Sequence, residues 1–245
     1  MPLKVSLLKL IINNSLPEMI SKKVSLNLTH LKEITLDSEK MTEFHRDSAE
    51  YFEINLNRNS KKMCDCFVKI EKLSICLKII NSLNQNCFKS CVHLREINLN
   101  FCGIFFIGAN CFADLNNLQV LNLSSNKLTK LHLNTFKNLK KLESLNLSCN
   151  KLETLKAGLF QAQINLKFLD FSFNRRLKLE NNALENLINL EELHMPEFEL
   201  IGETLLLSNI NKLKSLNVFD TKYLTDLHSK TSLEQLKLGN FFIFP

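Results

Sequence analysis

The chain has 245 residues, a net charge of +6 and 45% apolar residues, which is the composition of an ordinary folded domain. Lys and Arg are spread along the chain and form no stripe with interleaved aromatic residues, so nucleic-acid binding is not expected. With only 5 glycines there is no glycine-rich phosphate loop, and no apolar run approaches the roughly 20 residues that cross a bilayer.

Two stretches of the sequence are nearly the same. Residues 118–128 read LQVLNLSSNKL, and residues 142–152, which lie 24 positions later, read LESLNLSCNKL. A fixed period in this range indicates a solenoid, in which each unit buries its apolar face against its neighbour. The full frame is L-x-x-L-x-L-x-x-N-x-L-x-x-L, followed by Phe near position 19 and Leu at position 22.

In chain order, the frame predicts eleven units in one repeat domain over residues 1–245. Irregular units that open at Leu7, Leu31 and Tyr51 cover residues 1–69. Regular units of 24 residues begin at positions 70, 94, 118, 142, 166 and 190 and cover residues 70–212. Irregular and truncated units that open at Leu213 and Leu233 cover residues 213–245.

The chemistry of the frame predicts an α/β solenoid. The L-x-L alternation is typical of a short strand with one buried face, and stacked units place such strands side by side in a parallel sheet. Leu121, Leu145 and Leu169 should therefore share one interior row. Asn at position 9 can satisfy the backbone groups of a buried turn, and amides at this position can link one unit to the next in a ladder, as in Asn59, Asn126, Asn150 and Asn174. Phe at position 19 fills the wider outer side, where we expect irregular or short helical segments, and the sheet curves as a result.

This frame resembles the leucine-rich repeat, and the 24-residue form with Phe at position 19 is similar to that of extracellular leucine-rich repeat proteins, including Toll-like receptor ectodomains. The resemblance implies a horseshoe whose concave face carries the sheet and binds a protein or another macromolecule. It also implies a capacity to form a homodimer or heterodimer, and it names no ligand.

Packing does not dictate the side chains that point away from the interior, so these carry the information about a partner. Positions 2, 3, 5, 7 and 8 of each unit are expected to form the concave face. The candidate binding residues there are Arg95, Glu96, Asn98, Phe101, Gln119, Asn122, Glu143, Asn146, Lys167, Phe168, Asp170, Phe173, Glu191, Glu192 and His194. The exposed aromatic residues either anchor a partner or fold back onto neighbouring strands.

The 8 cysteines allow more than one interpretation. Cys102 and Cys91 replace Asn and Leu of the frame and are expected to be buried thiols. Cys87 and Cys111 occupy position 18 of adjacent units, so they are a candidate disulfide or two unpaired thiols. A zinc site of Cys64, Cys66, Cys87 and Cys91 is a further alternative with unusual spacing.

Four N-x-S/T triplets are candidate glycosylation sites, at Asn13, Asn27, Asn122 and Asn146. No catalytic motif is present, and the six His residues lie in different units, so neither an enzyme nor a cofactor is expected. His194 near Glu191 and Glu192 is interpreted as part of a solvated strand face.

The sequence favours a protein-binding recognition module, and two settings are compatible with it. The first is a fragment of an extracellular or cell-surface receptor of innate immunity, a glycoprotein that acts in signal transduction. The alternative is a cytoplasmic adaptor or scaffold with no signalling domain of its own, which the lack of a signal segment and of terminal caps would favour if the chain is complete. The fragment interpretation is the preferred one.

Overall fold

A computed structural model describes residues 9–13, 33–37, 71–76, 80–85, 87–89, 91–196, 198–201, 207, 209–218 and 232–238. Within them the chain forms fifteen short strands. In chain order these are β1 (Lys9–Asn13), β2 (Glu33–Asp37), β3 (Lys72–Cys76), β4 (Ser82–Leu83), β5 (Glu96–Asn98), β6 (Phe106–Ile107), β7 (Val120–Asn122), β8 (Ser144–Asn146), β9 (Thr154–Leu155), β10 (Phe168–Asp170), β11 (Leu177–Glu180), β12 (Glu192–His194), β13 (Phe198–Ile201), β14 (Ser215–Val218) and β15 (Gln235–Leu238). The segments that return the chain from one coil to the next are turns, with no helix in the described ranges.

The strands form a parallel solenoid. The main sheet has ten strands in the order β1, β2, β3, β5, β7, β8, β10, β12, β14 and β15. A three-stranded sheet of β13, β11 and β9 and a two-stranded sheet of β4 and β6 lie further along the coils. One coil of chain therefore supplies one strand of the main sheet, as the repeat predicts.

The register of the main sheet follows the 24-residue period. Leu121 lies opposite Leu145, and Leu145 lies opposite Leu169. All three side chains are fully buried. The predicted interior row is confirmed, and burial of one Leu per coil contributes roughly 2 kcal/mol of hydrophobic stabilisation for each side chain.

Asparagine amides close the turn that follows each central strand. The Nδ2 of Asn150 donates to the carbonyl oxygen of Leu123 at 2.9 Å and to that of Leu147 at 3.0 Å. Its Oδ1 accepts the backbone N–H of Leu128 at 3.1 Å. Asn126 and Asn174 repeat these bonds one coil away on either side. The predicted ladder is confirmed, while Asn59 lies outside the described residues.

Phenylalanine fills the outer half of each regular coil. Phe88 stacks on Phe112 with ring centroids 5.6 Å apart, and Phe136 stacks on Phe160 at 6.1 Å. All four rings are buried. Around them the chain makes successive four-residue turns, such as those closed by the Thr135 N–H on the carbonyl oxygen of His132 and by the Leu139 N–H on that of Phe136. The solenoid curves because the rings and turns on its outer side take up more space than the strands on its inner side.

Some expectations for the outer units remain predictions. β2 pairs directly with β3, so the structure does not confirm the count of eleven units. The unit that opens at Tyr51 lies outside the described residues, and the boundaries of the single domain over residues 1–245 are untested. The units predicted to open at Leu7 and Leu31 do supply strands, since β1 and β2 pair with the same offset of 24 residues.

The structure corrects one expectation about the cysteines. Cys102 is a buried thiol outside any disulfide, as predicted, and its Sγ lies 3.5 Å from the carbonyl oxygen of Asn100. Cys91 is buried but disulfide-bonded, so it is not a thiol. Because a sulfur in a disulfide cannot be a thiolate ligand, the zinc alternative loses Cys91. In the described residues no cluster of ligand side chains could hold a metal, and Cys64 and Cys66 lie outside them.

Candidate concave recognition face

The solvent side of the main sheet carries the predicted binding residues. All fifteen of them are exposed or half-buried, and they lie in columns because each coil repeats the same positions. Asn98, Asn122, Asn146, Asp170 and His194 form one column, matched by the pairing of β5, β7, β8, β10 and β12. The structure therefore brings together residues that are up to 99 positions apart between Arg95 and His194.

The side chains at position 7 were expected on this face, but two of them point away from solvent. Ser148 and Ser172 are buried. The hydroxyl of Ser148 donates to Asn146 Oδ1 at 2.6 Å, and that of Ser172 donates to Asp170 Oδ1 at 2.7 Å. The same oxygens accept the backbone N–H of the serine, so each Asn or Asp closes a local turn. The turn draws the serine inward and removes it from the recognition surface.

Two candidate glycosylation sites compete with ligand binding on this face. Asn122 and Asn146 lie opposite each other on β7 and β8, at the centre of the sheet. Both are half-buried, and each oxygen is engaged by the serine two residues later. A glycan on either amide would cover the central strands. Glycosylation at these sites remains a prediction, and Asn13 and Asn27 have no described side chain.

A row of alternating charges crosses the edge of the face where the strands begin. Lys167 Nζ lies 2.7 Å from Glu143 Oε2, and Lys214 Nζ lies 2.7 Å from Glu191 Oε2. The bond to Lys214 lowers the pKa of the Glu191 carboxyl, and the same bond raises the pKa of Lys214. The hydrogen bond to Glu143 likewise raises the pKa of Lys167. The charges of this row are thus balanced by their neighbours on adjacent strands.

An open depression of about 420 Å³ lies along this row. Its lining consists of polar and charged side chains from four consecutive coils, Gln119, Lys141, Glu143, Asn165, Lys167, Asn189, Glu191 and Lys212. Lys141 Nζ donates to Asn117 Oδ1, and Lys212 Nζ donates to Asn189 Oδ1, both within 2.8 Å. Since these cations already bind partners in the chain, the depression offers few free donors to a ligand.

The predicted aromatic anchors differ in their surroundings. Phe168 packs on the ring of His194, with centroids 5.6 Å apart, so it folds back onto the next strand. His194 Nε2 in turn lies 2.7 Å from Glu192 Oε1. Phe101 and Phe173 are 57% and 44% exposed. These two rings are the stronger candidates for contact with a partner.

Phe101 and Phe173 share an unusual backbone conformation. They occupy position 8 of their coils, where the φ angles are +55° and +58°. Ser125 and Cys149 fill the same position in the coils between them, with φ angles of +56° and +54°. The left-handed conformation costs a residue with a side chain roughly 1–2 kcal/mol. Backbone hydrogen bonds to the next coil, such as that from the Ser125 N–H to the carbonyl oxygen of Ser148, offset this cost and fix a column of four side chains at the edge where the strands end.

Basic side chains lie beside that column, on the flank where the chain leaves the sheet. Lys127, Lys151 and Arg175 each follow the buried Asn of their coil by one residue. We use the name basic flank for a set of six exposed residues, Lys127, Lys130, Lys151, Lys156, Arg175 and Arg176. The sequence shows them 24 residues apart and hence scattered. The coil places them together, so the expectation that Lys and Arg form no stripe is wrong here.

The basic flank differs from the charged row in its pairing. Among the described residues, none of its six cations forms an ion pair. Glu153 and Glu180 are two of the acidic residues of the same coils, and the Glu180 carboxylate accepts the backbone N–H of Ala157 at 3.0 Å. Exposed Phe105 and Phe106 precede the flank by one coil. The basic flank therefore combines cations that form no ion pair among the described residues with nearby exposed aromatic rings.

Cys87 and Cys111 are brought together on the outer side. Their Sγ atoms lie 2.9 Å apart, and the two residues are thiols that are not joined in a disulfide in this structure. Cys111 is buried, and burial raises the pKa of its thiol. The predicted neighbourhood is therefore present, and the disulfide itself remains a prediction.

Comparison with known proteins matches this geometry. A family model for the leucine rich repeat matches residues 68–128 and residues 92–152. Residues 68–152 of the chain therefore carry leucine-rich repeats. The chain resembles part of a Toll-like receptor ectodomain, since a crystal structure of a TLR13–ssRNA13 complex superposes on it with a TM-score of 0.61 at 26% sequence identity. That match covers 86% of this chain and 30% of the TLR13 chain.

A second solved structure supports the solenoid fold of the chain. Internalin C2 from Listeria monocytogenes str. 4b F2365 superposes with a TM-score of 0.56 at 17% identity, covering 73% of this chain and 77% of that chain. A search among curated proteins finds no match. No helix in the described residues has the length and apolar character needed to cross a membrane.

Proposed function

We propose that this leucine-rich repeat protein is the recognition part of an extracellular, receptor-like protein of innate immunity and that a macromolecular ligand, most simply a protein, binds its concave face. The observation that carries the proposal is the main sheet itself. The sheet has ten parallel strands, and those from β5 to β12 present columns of side chains that the core does not need, with Phe173 and Phe101 exposed at its edge. Leucine-rich repeat proteins are generally recognition modules without enzymatic activity, which agrees with this surface.

The disulfide at Cys91 supports the extracellular setting. Disulfides persist in secreted and cell-surface proteins, whereas the cytosol keeps most thiols reduced. The similarity to a Toll-like receptor ectodomain points the same way. A cytoplasmic adaptor remains the alternative, and it predicts that Cys91 carries a free thiol in the protein isolated from its own cells under alkylating conditions.

A photo-crosslinking experiment tests the binding role. Benzoylphenylalanine is introduced at Ser144, on the concave face, and in a second variant at exposed Lys137, on the outer side. Each protein is irradiated with candidate extracellular proteins. We expect a saturable crosslinked product from position 144 and none from position 137.

The same partner then serves in a quantitative test. Phe173→Ala should weaken its binding by about 1–3 kcal/mol, because an exposed aromatic ring at an interface is a typical anchor. The matched control is Phe168→Ala, whose ring packs on His194 within the sheet and should matter less. Equal crosslinking from positions 144 and 137, or unchanged affinity on loss of Phe173, would contradict binding on the concave face.

A further inference from the structure

The cations of the basic flank have no carboxylate partners. Among the described residues, Lys127, Lys151 and Arg175 form no ion pair, although each occupies the same position of its coil. On the opposite edge of the sheet, Lys167 and Lys214 each lie 2.7 Å from a carboxylate of the neighbouring strand. Positive charge is therefore balanced on that edge and left unbalanced on the flank, where it attracts an anionic partner.

Two exposed aromatic rings lie at one end of the flank. Phe105 and Phe106 are neighbours in the coil of residues 94–117, and their side chains are 54% and 46% exposed. The next residue, Ile107, is buried and pairs with Leu83 of the preceding coil. Because this pairing fixes the backbone that carries the rings, a partner can contact them without a change in the fold.

Rings and cations are separated along the axis of the solenoid. The two rings belong to one coil, and the six cations of the basic flank belong to the next three coils. Strands of neighbouring coils lie roughly 4.8 Å apart, so the path from the rings to the last cations spans roughly 14 Å. An extended polypeptide rises roughly 3.3 Å per residue, so about five residues of a partner cover this path.

Two features favour a polypeptide over a polymer that carries a charge on every monomer. Exposed Glu153 lies between Lys151 and Lys156 in the sequence, and its carboxylate repels a uniform polyanion. The rings are confined to one end of the flank, whereas successive nucleic-acid bases stack on rings that lie among the cations. A polypeptide can place an uncharged residue near Glu153 and an apolar side chain on Phe105 and Phe106.

We propose that the basic flank, together with Phe105 and Phe106, binds an acidic segment of another protein. Carboxylates of the segment contact Lys127, Lys151 and Arg175, and an aromatic or large aliphatic residue at one end of the segment packs on the two rings. These five residues lie outside the set assigned to the concave face. The inference therefore goes beyond the proposed function, and either of the two can fail without the other.

Fluorescence anisotropy with labelled synthetic peptides tests the proposal on the full chain. The probe carries two phenylalanines followed by four glutamates, and its binding should weaken as salt is added, because salt screens exposed charges. Glutamine in place of its glutamates, or alanine in place of its phenylalanines, should raise Kd about tenfold. A peptide of the same composition with the phenylalanines placed between the glutamates should also bind less tightly, because the rings and the cations of the flank are separated.

Matched variants of the cations locate the charged part of the site. The flank variant carries Lys127→Gln, Lys151→Gln and Arg175→Gln, and it should raise Kd about tenfold or more. The control variant removes three exposed cations from the outer side, Lys89→Gln, Lys137→Gln and Lys140→Gln. Because both variants lower the net charge equally, only a specific site makes the flank variant bind more weakly than the control.

A second pair of variants tests the rings. Phe105→Ala combined with Phe106→Ala should raise Kd about tenfold, since aromatic side chains are typical anchors of an interface. Ile164→Ala combined with Ile188→Ala is the control, because these side chains are 48% and 47% exposed and lie outside the flank. The control should leave Kd within about threefold of the unchanged protein, as expected for residues outside the contact.

Charge reversal distinguishes recognition from an effect on folding. Lys127→Glu, Lys151→Glu and Arg175→Glu together should abolish binding of the glutamate probe and confer binding of a peptide that carries lysines in place of the glutamates. Urea unfolding verifies that each variant is folded.

Five outcomes would overturn the proposal. They are no binding of the probe by the unchanged protein, equal weakening by the flank variant and its control, unchanged binding on loss of the two rings, a folded charge-reversed variant that does not bind the lysine peptide, and tighter binding of single-stranded RNA or a sulfated polysaccharide than of the probe. The last outcome would assign the flank to polymers that carry a charge on every monomer.

Discussion

At the scale of single residues, the amide of Asn150 binds three backbone groups that its burial hides from water. It donates to two carbonyl oxygens and accepts the N–H of Leu128. Asn150→Ala should lower the free energy of unfolding by about 3 kcal/mol, because buried backbone groups that lose a partner cost roughly 1–3 kcal/mol each. The midpoint of urea unfolding measures the loss.

Asn116 offers a matched control for this substitution. It is exposed on the outer side of its coil. Asn116→Ala should change stability by less than about 0.5 kcal/mol, as is usual for surface positions. If the two substitutions cost the same, the buried ladder is not what stabilises the turns.

The sequence predicts which side chains face the interior where the repeat fixes an apolar or amide residue at the same position of each coil. Leu145, Asn150 and Phe160 each repeat at a fixed position, and the structure buries all three. Ser148 and Ser172 could not be placed in the same way. Their inward direction depends on a hydrogen bond to the side chain two residues earlier, and a hydroxyl is compatible with either side of a turn.

At the scale of elements, adjacent outer segments meet at Cys87 and Cys111. With Sγ atoms 2.9 Å apart, the two thiols should form a disulfide when treated with oxidised glutathione. The crosslink closes a loop of about 25 residues and should stabilise the coils by roughly 3 kcal/mol through the unfolded state. Non-reducing peptide mapping detects the bond, and the urea midpoint measures the gain.

The pH dependence of this reaction has a defined direction. The pKa of Cys111 is raised by burial, so its thiol stays protonated at neutral pH and its oxidation should accelerate as the pH rises. Cys111→Ser should abolish both the bond and the gain in stability, whereas Cys149→Ser should leave them unchanged. Oxidation that links Cys149 to another cysteine with equal yield would contradict the proximity argument.

The strands of the regular coils could be predicted together with their register. Period-two alternation within a 24-residue repeat fixes both which residues face inward and which residue lies opposite in the next coil. The small sheets of β4 with β6 and of β9, β11 and β13 were not predicted. In the repeat frame their region has a single fixed apolar position, as in Ile107 and Leu155, so no alternation can be recognised there.

At the scale of the whole molecule, the coil decides which distant residues become neighbours. The basic flank could have been found by aligning position 10 of successive units, which holds Lys127, Lys151 and Arg175. Whether those cations are paired could not be predicted, because pairing depends on the direction of long side chains across adjacent coils. In the described residues the cations of the basic flank form no ion pair, whereas Lys167 and Lys214 each pair with a carboxylate of the neighbouring strand.

Replacing the leucine at one position of the repeat should cost more unfolding free energy in the middle of the main sheet than toward one end of it. Leu145 is fully buried between coils, whereas Leu236, which pairs in register with Leu216, is 42% exposed. Leu145→Ala should therefore cost about 2–5 kcal/mol, the usual range for a buried leucine. Leu236→Ala should cost about 1 kcal/mol or less.

Hydrogen exchange on the intact chain shows where each substitution acts. In a solenoid, coils contact only their neighbours, so opening can be confined to part of the stack. Amides of β7, β8 and β10 should exchange faster in Leu145→Ala, while in Leu236→Ala the change should be confined to β14 and β15. If stability adds coil by coil, the two variants must differ in which amides exchange faster. Equal loss of protection along the whole sheet in both variants would instead mean that the coils unfold as one cooperative unit.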